Sequence, residues 1–266
     1  MLTWLSSFWD AITTPPLRDY IATSAATAVF IIGLFTFTQK RTEFKSTLRK
    51  QLTDHIATIH DLNVEQGKSR AVNKKGDYPP DFNRLIMDQK RFVTRQMDYL
   101  ANKIRNMVTP YEWLVLATSL DDIGDQAQAE KYFKKAFLSY ARNDFEKIIF
   151  ARQYARFLFR IGRIEDGRRL YLFAASASKG NSPRDVTYLA DTFERWARAE
   201  ADFGDRKQVL ALLDRAQSTY ARLRNSSEKD RFMDEINLLR SEYDVDRGGR
   251  AGENTDMPPL AAIRFT

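Results

Sequence analysis

The chain has 266 residues, 43% hydrophobic and 12% aromatic, enough for one or two packed domains besides any membrane segment. It contains no cysteine and only two histidines, His55 and His60, which excludes disulfides and thiolate metal sites and argues against histidine chemistry. The net charge is +7, and residues 40–107, with 15 basic and 8 acidic side chains, hold a surplus of that same size. A nucleic-acid binder would spread its basic surface over the folded domain. A basic cluster directly after the most apolar stretch points instead to anionic lipid headgroups, and no nucleic-acid partner is expected.

Residues 1–16 form a short N-terminal segment. Leu2, Leu5, Phe8, Trp9 and Ile12 share one helical face, as in an interfacial helix or a plain flanking one, and Pro15-Pro16 breaks it. Residues 17–39 read as a transmembrane helix, because 20–39 carry no charge and include AVFIIGLFTF. A buried core helix is the competing reading. A cleaved signal peptide fits poorly, since no basic region precedes the apolar run. Ala22, Ser24, Ala25, Ala26 and Ala28 permit close packing against another membrane helix. Lys40, Arg41, Lys45, Arg49 and Lys50 follow the span, against Arg18 alone before it. The positive-inside bias then places the N-terminus outside and the remainder in the cytoplasm, as in a bacterial inner-membrane protein; a periplasmic C-terminal domain is the rival. The same five cations are the candidate membrane-surface residues.

Residues 40–108 read as a basic juxtamembrane helical pair. Phe44, Leu48, Leu52, Ile56 and Ile59 make one apolar face; residues 66–80 make a loop. Asp81 is placed to cap a second helix with Phe82, Leu85, Ile86, Phe92 or Val93, Met97, Leu100 and Ile104 on its face. The pair serves as a stalk or as an N-terminal cap. His55 and His60, five residues apart, lie about 140° apart around a helix and do not converge on a metal.

Residues 109–243 read as helical hairpins closed by a last helix. In the first hairpin, Trp113, Leu116, Ala117 and Leu120 recur at helical spacing, then Ala129, Tyr132, Phe133 and Ala136, with Gly124 in the turn. Thr109, Pro110 and Glu112 spell a capping box with proline at the first helical position. Gly162 and Gly204 mark two further turns. Each of the three glycines has an alanine seven residues before it and another twelve after it, and an apolar residue three before the second alanine. A final helix with Phe232, Ile236, Leu239 and Tyr243 on one face, capped by Ser227, would close the open end. Residues 244–266 read as a mobile tail, whose LAAIRFT end is either inert or a docking peptide.

This pattern resembles the tetratricopeptide repeat, a 34-residue helical hairpin with small residues where neighbouring helices approach. The first unit is in register throughout. The second has Gly167 where the family prefers alanine, and the third has Glu200 and Val209 at positions usually small or aromatic. The turn glycines lie 38 and 42 residues apart, and the family's closing proline is absent. The resemblance implies an α-solenoid of about three such hairpins with a capping helix; with the apolar span and the amphipathic stalk or cap before it, the expected fold is all-α.

No phosphate-cradling loop, nucleophile elbow or metal-spaced cluster occurs, so neither an enzyme, nor a cofactor, nor a metal site is expected. The sharpest feature is a stripe of Arg152, Arg156 and Arg160, spaced by four. The resemblance puts it on the concave groove with Arg198 nearby, and assigns Tyr111, Leu114 and Phe159 as apolar groove residues. Two readings stay open. Either the arginines select acidic peptides or other subunits of a membrane complex, or Asp121, Asp122, Asp191, Glu194 and Asp202 neutralise them internally. The implied function is a membrane-anchored scaffold that recruits or assembles partners. The alternative is an accessory subunit packed permanently in a complex through its membrane helix.

Overall fold

The computed structural model describes residues 15–72, 81–139, 144–178, 182–224 and 227–244, with side chains in the first helix described for 29–69. Among the described residues the regular structure is all helical: α1 (Pro15–Val72), α2 (Phe82–Lys103), α3 (Pro110–Asp122), α4 (Gln126–Leu138), α5 (Asp144–Arg160), α6 (Ile164–Ala177), α7 (Pro183–Phe203), α8 (Lys207–Tyr220) and α9 (Ser227–Asp244), with a 3-10 turn at Arg105–Met107. The segments assigned to residues 1–14 and 245–266 lie outside the described residues.

The expected membrane helix and the first stalk helix are one element. α1 runs unbroken for 58 residues, about 87 Å at 1.5 Å per residue. Pro15 and Pro16 open it, where a missing N–H costs nothing. Every residue from Val29 to Thr47 is exposed, including Phe44, which therefore does not join the packed face. Burial begins at Leu48 and continues through Leu52, Ile59 and Leu62. Among the described residues no helix is long and apolar enough to cross a membrane. The apolar run 20–39 falls only partly within the described side chains.

The loop expected from Gln66 does not begin there, because α1 continues to Val72; residues 73–80 lie outside the described residues. What holds that last stretch is polar. Gln66 accepts from Lys90 Nζ at 2.6 Å and lies 3.7 Å from Met87 Sδ, while Ser69 is buried beside Asn83. Buried polar pairs of this kind leave no apolar period to read. On α2 the inward residues are Ile86, Val93, Met97, Leu100 and Ala101, so Val93 and not Phe92 takes the core position. Asp81 stands at the cap position without a side-chain cap hydrogen bond and pairs with Arg84 instead, at 3.5 Å.

The α1–α2 pair covers the first hairpin as a cap. Leu48, Leu52, Met97 and Leu100 join one cluster with Trp113, Leu116, Tyr132 and Phe133. Polar ties reinforce it: Arg49 to Glu112, Arg95 to Asp125 at 2.6 Å, and Tyr132 Oη to Asp98 at 2.5 Å. Burial, then the Asp98 carboxylate, push the Tyr132 hydroxyl upward.

α3 and α4, α5 and α6, and α7 and α8 form the three hairpins, and successive hairpins pack on one another. The six alanines at the shared spacing (Ala117, Ala136, Ala155, Ala174, Ala197, Ala216) are all at most 1% exposed, because a larger side chain there would hold the helices apart. Gly124 and Gly162 take φ of +86° and +81°, the left-handed conformation their turns require. Gly204 does not; its role is close approach, since a Cβ there would collide with Glu200 Oε2 and lie 3.0 Å from Phe159 Cε1.

The repeat spacing starts the second and third hairpins at Ile148 and Ala190, but their helices begin earlier, at Asp144 and Pro183. Ser182, Pro183 and Asp185 form a capping box at the head of α7, legible locally yet outside the repeat register. The capping box at Thr109 is formed as expected, with Thr109 accepting from the Glu112 N–H. Thr109→Ala is expected to lower stability by about 1 kcal/mol in urea unfolding. α9 closes the stack through Ile236, Leu239 and a Phe232 ring stacked on Tyr220 at 4.6 Å. It begins at Ser227, whose side chain lies outside the described residues.

Candidate functional site

α5 and α7 lie side by side as the first helices of consecutive hairpins, and a cavity of about 310 Å³ opens between them. Arg152 and Arg156 line it from α5, Arg195, Arg198 and Asp202 from α7, with Tyr171 of α6 behind. Tyr171 is held by donating to the Arg195 carbonyl at 3.3 Å and by stacking on Trp196 at 5.8 Å. A smaller cavity of about 110 Å³ shares Gln153 and Arg156 and extends toward Thr118, Asp121, Asp122 and Arg160.

The four candidate arginines are differently placed. Arg152 is 7% exposed and donates to Asp191 Oδ2 at 2.6 Å, with its guanidinium 5.8 Å from the Tyr188 ring. Burial lowers its pKa, and Asp191 opposes that shift. Arg160 pairs with Asp121, and burial lowers its pKa too. Arg198 reaches Glu194 at 3.0 Å and Glu235 at 2.9 Å. Burial raises the Glu194 carboxyl, with Arg198 acting against it. Arg156 is exposed, and among the described residues no carboxylate stands within ion-pair distance of it.

Internal salt bridging thus accounts for Arg152, Arg160 and Arg198 and leaves Arg156 open. Of the acidic candidates, Asp191 serves two guanidinium groups, since Arg195 Nε also donates to it at 2.8 Å. Asp122 lines the smaller cavity with Lys90 4.0 Å away, and Asp202 remains exposed at the rim. Arg195 is the lining residue that sequence reading missed. Its signal was the four-residue spacing from Asp191, a pairing as informative as the stripe on α5.

The apolar groove residues need correction. Leu114 is 8% and Phe159 1% exposed, so both belong to the core. Phe159 is edge-on to Tyr171 at 5.8 Å and lies against Gly167, where a Cβ would stand 2.8 Å from Phe159 Cε2 and 3.0 Å from the Ala155 carbonyl. The glycine in place of the usual alanine is therefore the space the ring occupies. Tyr111 alone keeps a surface, 46% exposed and edge-on to Phe150 at 5.3 Å. Of the membrane-surface candidates, Lys40, Arg41, Lys45 and Lys50 are exposed; Arg49 is half-buried on Glu112.

Glu200, the other departure from the repeat pattern, is fully buried and structural. Its carboxylate accepts from Arg168 Nε at 2.7 Å and the second Arg168 nitrogen at 2.8 Å, from Trp196 Nε1 at 2.9 Å and from the Asp205 N–H at 2.8 Å. This pair holds the Arg168 guanidinium above the usual arginine range.

The fold and site define an all-α stack of hairpins with an arginine-lined cavity between the first helices of its second and third units. No family model matches the chain, and no curated protein matches it. Among solved structures it is similar to BtubC (BKLC) from P. vanneervenii, at 12% identity and a TM-score of 0.41, over 82% of this chain and 99% of that one. A likeness of that degree carries no argument about function.

Proposed function

We propose that the chain is a membrane-anchored scaffold of the tetratricopeptide-like kind, whose hairpin stack binds an acidic segment of a partner protein and helps recruit or assemble a membrane complex. The observation that carries this reading is Arg156. Among the described residues it is an unpaired guanidinium between two adjoining cavities, with Arg195 beside it sharing the Asp191 carboxylate with Arg152. An arginine with its fork of donors unused favours a carboxylate from outside over a small apolar ligand. Arg160, tied to Asp121, contributes less than the spacing of the stripe implies.

Anchoring is supported by α1. Val29, Phe30, Ile31, Ile32, Leu34, Phe35 and Phe37 are 56–70% exposed and point in all directions around the helix, an arrangement that favours lipid over water. With Lys40, Arg41 and Lys45 following, the preferred orientation is N-terminus outside and hairpins in the cytoplasm.

Crosslinking pull-down from membranes, read by mass spectrometry, tests the groove. Arg156→Glu is expected to lose the partners that wild type captures while circular dichroism is unchanged; retained capture removes the groove from the reading. The same exposed apolar collar favours a second reading, an accessory subunit held in a complex by its membrane helix. In that case a poly-Leu replacement of residues 20–38 releases the protein from its complex, while Arg156→Glu does not.

A further inference from the structure

The end of the helical stack from which the apolar part of α1 projects carries its own surface, built from residues far apart in sequence. α1 and α2 run in opposite directions: Gln66 meets Lys90 near one end, and Arg49 meets Glu112, just beyond α2, near the other. The second end therefore faces along α1 toward Phe37. Leu48 comes eleven positions after Phe37, about 16 Å along the helix. α4 finishes at the same end, because Lys135 lies 3.6 Å from the Trp113 ring at the start of α3.

Four cations gather here. Lys103 ends α2 with its amine 5.4 Å from the Tyr99 ring, Arg105 follows in the 3-10 turn, and Lys131 and Lys135 come from α4. None of the four has a carboxylate within ion-pair distance among the described residues. Burial first, then the charges of Arg105 and Lys131, push the Lys135 amine down, so these groups repel one another. Of the nearby carboxylates, Glu112 is already taken by Arg49 and the Thr109 cap, and Asp98 by the Tyr132 hydroxyl and the Asn102 amide. Interleaved with the cations are exposed apolar side chains, Leu138 at 77% and Met107 at 39%. A face combining unpaired cations with protruding apolar groups, set beside an exposed apolar helix, has the chemistry of a membrane interface.

We infer that this end of the stack docks on an anionic lipid surface, with Lys103, Arg105, Lys131 and Lys135 meeting headgroups and Leu138 and Met107 entering the interface. The inference rests on the membrane reading of α1 and adds what that reading lacks: a fixed orientation of the hairpins, with the stack held against the bilayer instead of swinging on α1. A second copy of the chain is disfavoured as the occupant, since two such faces would oppose their own positive charge.

The 266-residue chain has no cysteine, so single labels are clean. A fluorophore is placed at Leu138→Cys, and a control at Gln126→Cys, the opposite end of α4. Both proteins are reconstituted into phosphatidylcholine vesicles with and without phosphatidylglycerol, with a headgroup-labelled quenching lipid. Quenching at 138 is expected with phosphatidylglycerol, and its loss in phosphatidylcholine alone, at high salt, and in Lys103→Glu/Arg105→Glu, while 126 stays unquenched. The salt arm uses unaltered charges and does not depend on that variant folding. Chain that floats with vesicles but shows no quenching at 138, equal quenching in both lipids, or equal quenching at 138 and 126 overturns the docking and leaves the anchor intact. Chain that floats with neither vesicle removes the anchor itself and the docking with it. A concentration-dependent dimer in detergent, lost in Lys103→Glu/Arg105→Glu, assigns the face to a second copy and overturns the lipid assignment.

Discussion

Replacing Glu200 with alanine is expected to destabilise the folded chain by about 3–5 kcal/mol, the range for removing one partner of a buried ion pair. The carboxylate is inaccessible to solvent and is the meeting point of two helices and a turn: Arg168 reaches it from α6, Trp196 from its own helix α7, and the Asp205 N–H from the turn into α8. Alanine leaves two Arg168 nitrogens, the indole N–H and a backbone N–H without their acceptor, while Arg168 keeps Glu165 at 2.6 Å. It also leaves a hole over Gly204, whose lack of a Cβ makes room for that carboxylate. Glu200→Gln keeps the shape but turns an amide donor toward donors, so it too should be costly. In thermal unfolding the alanine variant should melt roughly 6–20 °C lower. The double variant Glu200→Met/Arg168→Met should recover part of the loss, because it removes both charges together. A single-variant shift within about 1 kcal/mol would show that the pair is not what ties these helices.

Phe159→Ala is expected to cost about 3–5 kcal/mol, the usual range for a fully buried phenylalanine. The ring lies across the junction of the second and third hairpins, between Gly167 and Gly204 and edge-on to Tyr171. Its partner prediction is sharper. Gly167→Ala, which the repeat pattern itself would recommend, should destabilise by about 1–3 kcal/mol through overpacking against that ring. In the Phe159→Ala background the same Gly167→Ala change should cost much less, since the methyl then partly fills the space and only the Ala155 carbonyl still crowds it. Urea unfolding of the four proteins gives the coupling directly. Additive effects would mean that the glycine is there for some reason other than the ring.

These two sites mark where sequence reading stopped. Gly167 and Glu200 stood out as departures from the repeat, and both are explained by contacts across helices: Phe159 fills the space left by one, and Arg168 is the partner of the other. Neither partner is close in sequence to the residue it explains, so no periodicity exposes the pairing. Phe159 and Leu114 were misplaced for a related reason. Repeat register gives the face of a helix, but the depth of a side chain depends on how closely the next helix approaches, and here it closes over both.

What the sequence determines alone is local. The capping box at Thr109 follows from neighbours three residues apart, and the turns at Gly124 and Gly162 from a single residue's freedom at positive φ. The hairpin core follows from alanines that recur because helices in contact leave no room for more. Tertiary structure decided the rest. Three members of the arginine set, Arg152, Arg160 and Arg198, find carboxylates and, among the described residues, Arg156 does not, because charge pairing depends on which helix faces which. Likewise α1 is one helix through Gln66–Val72, because buried polar partners on α2 hold a stretch that has no apolar period of its own.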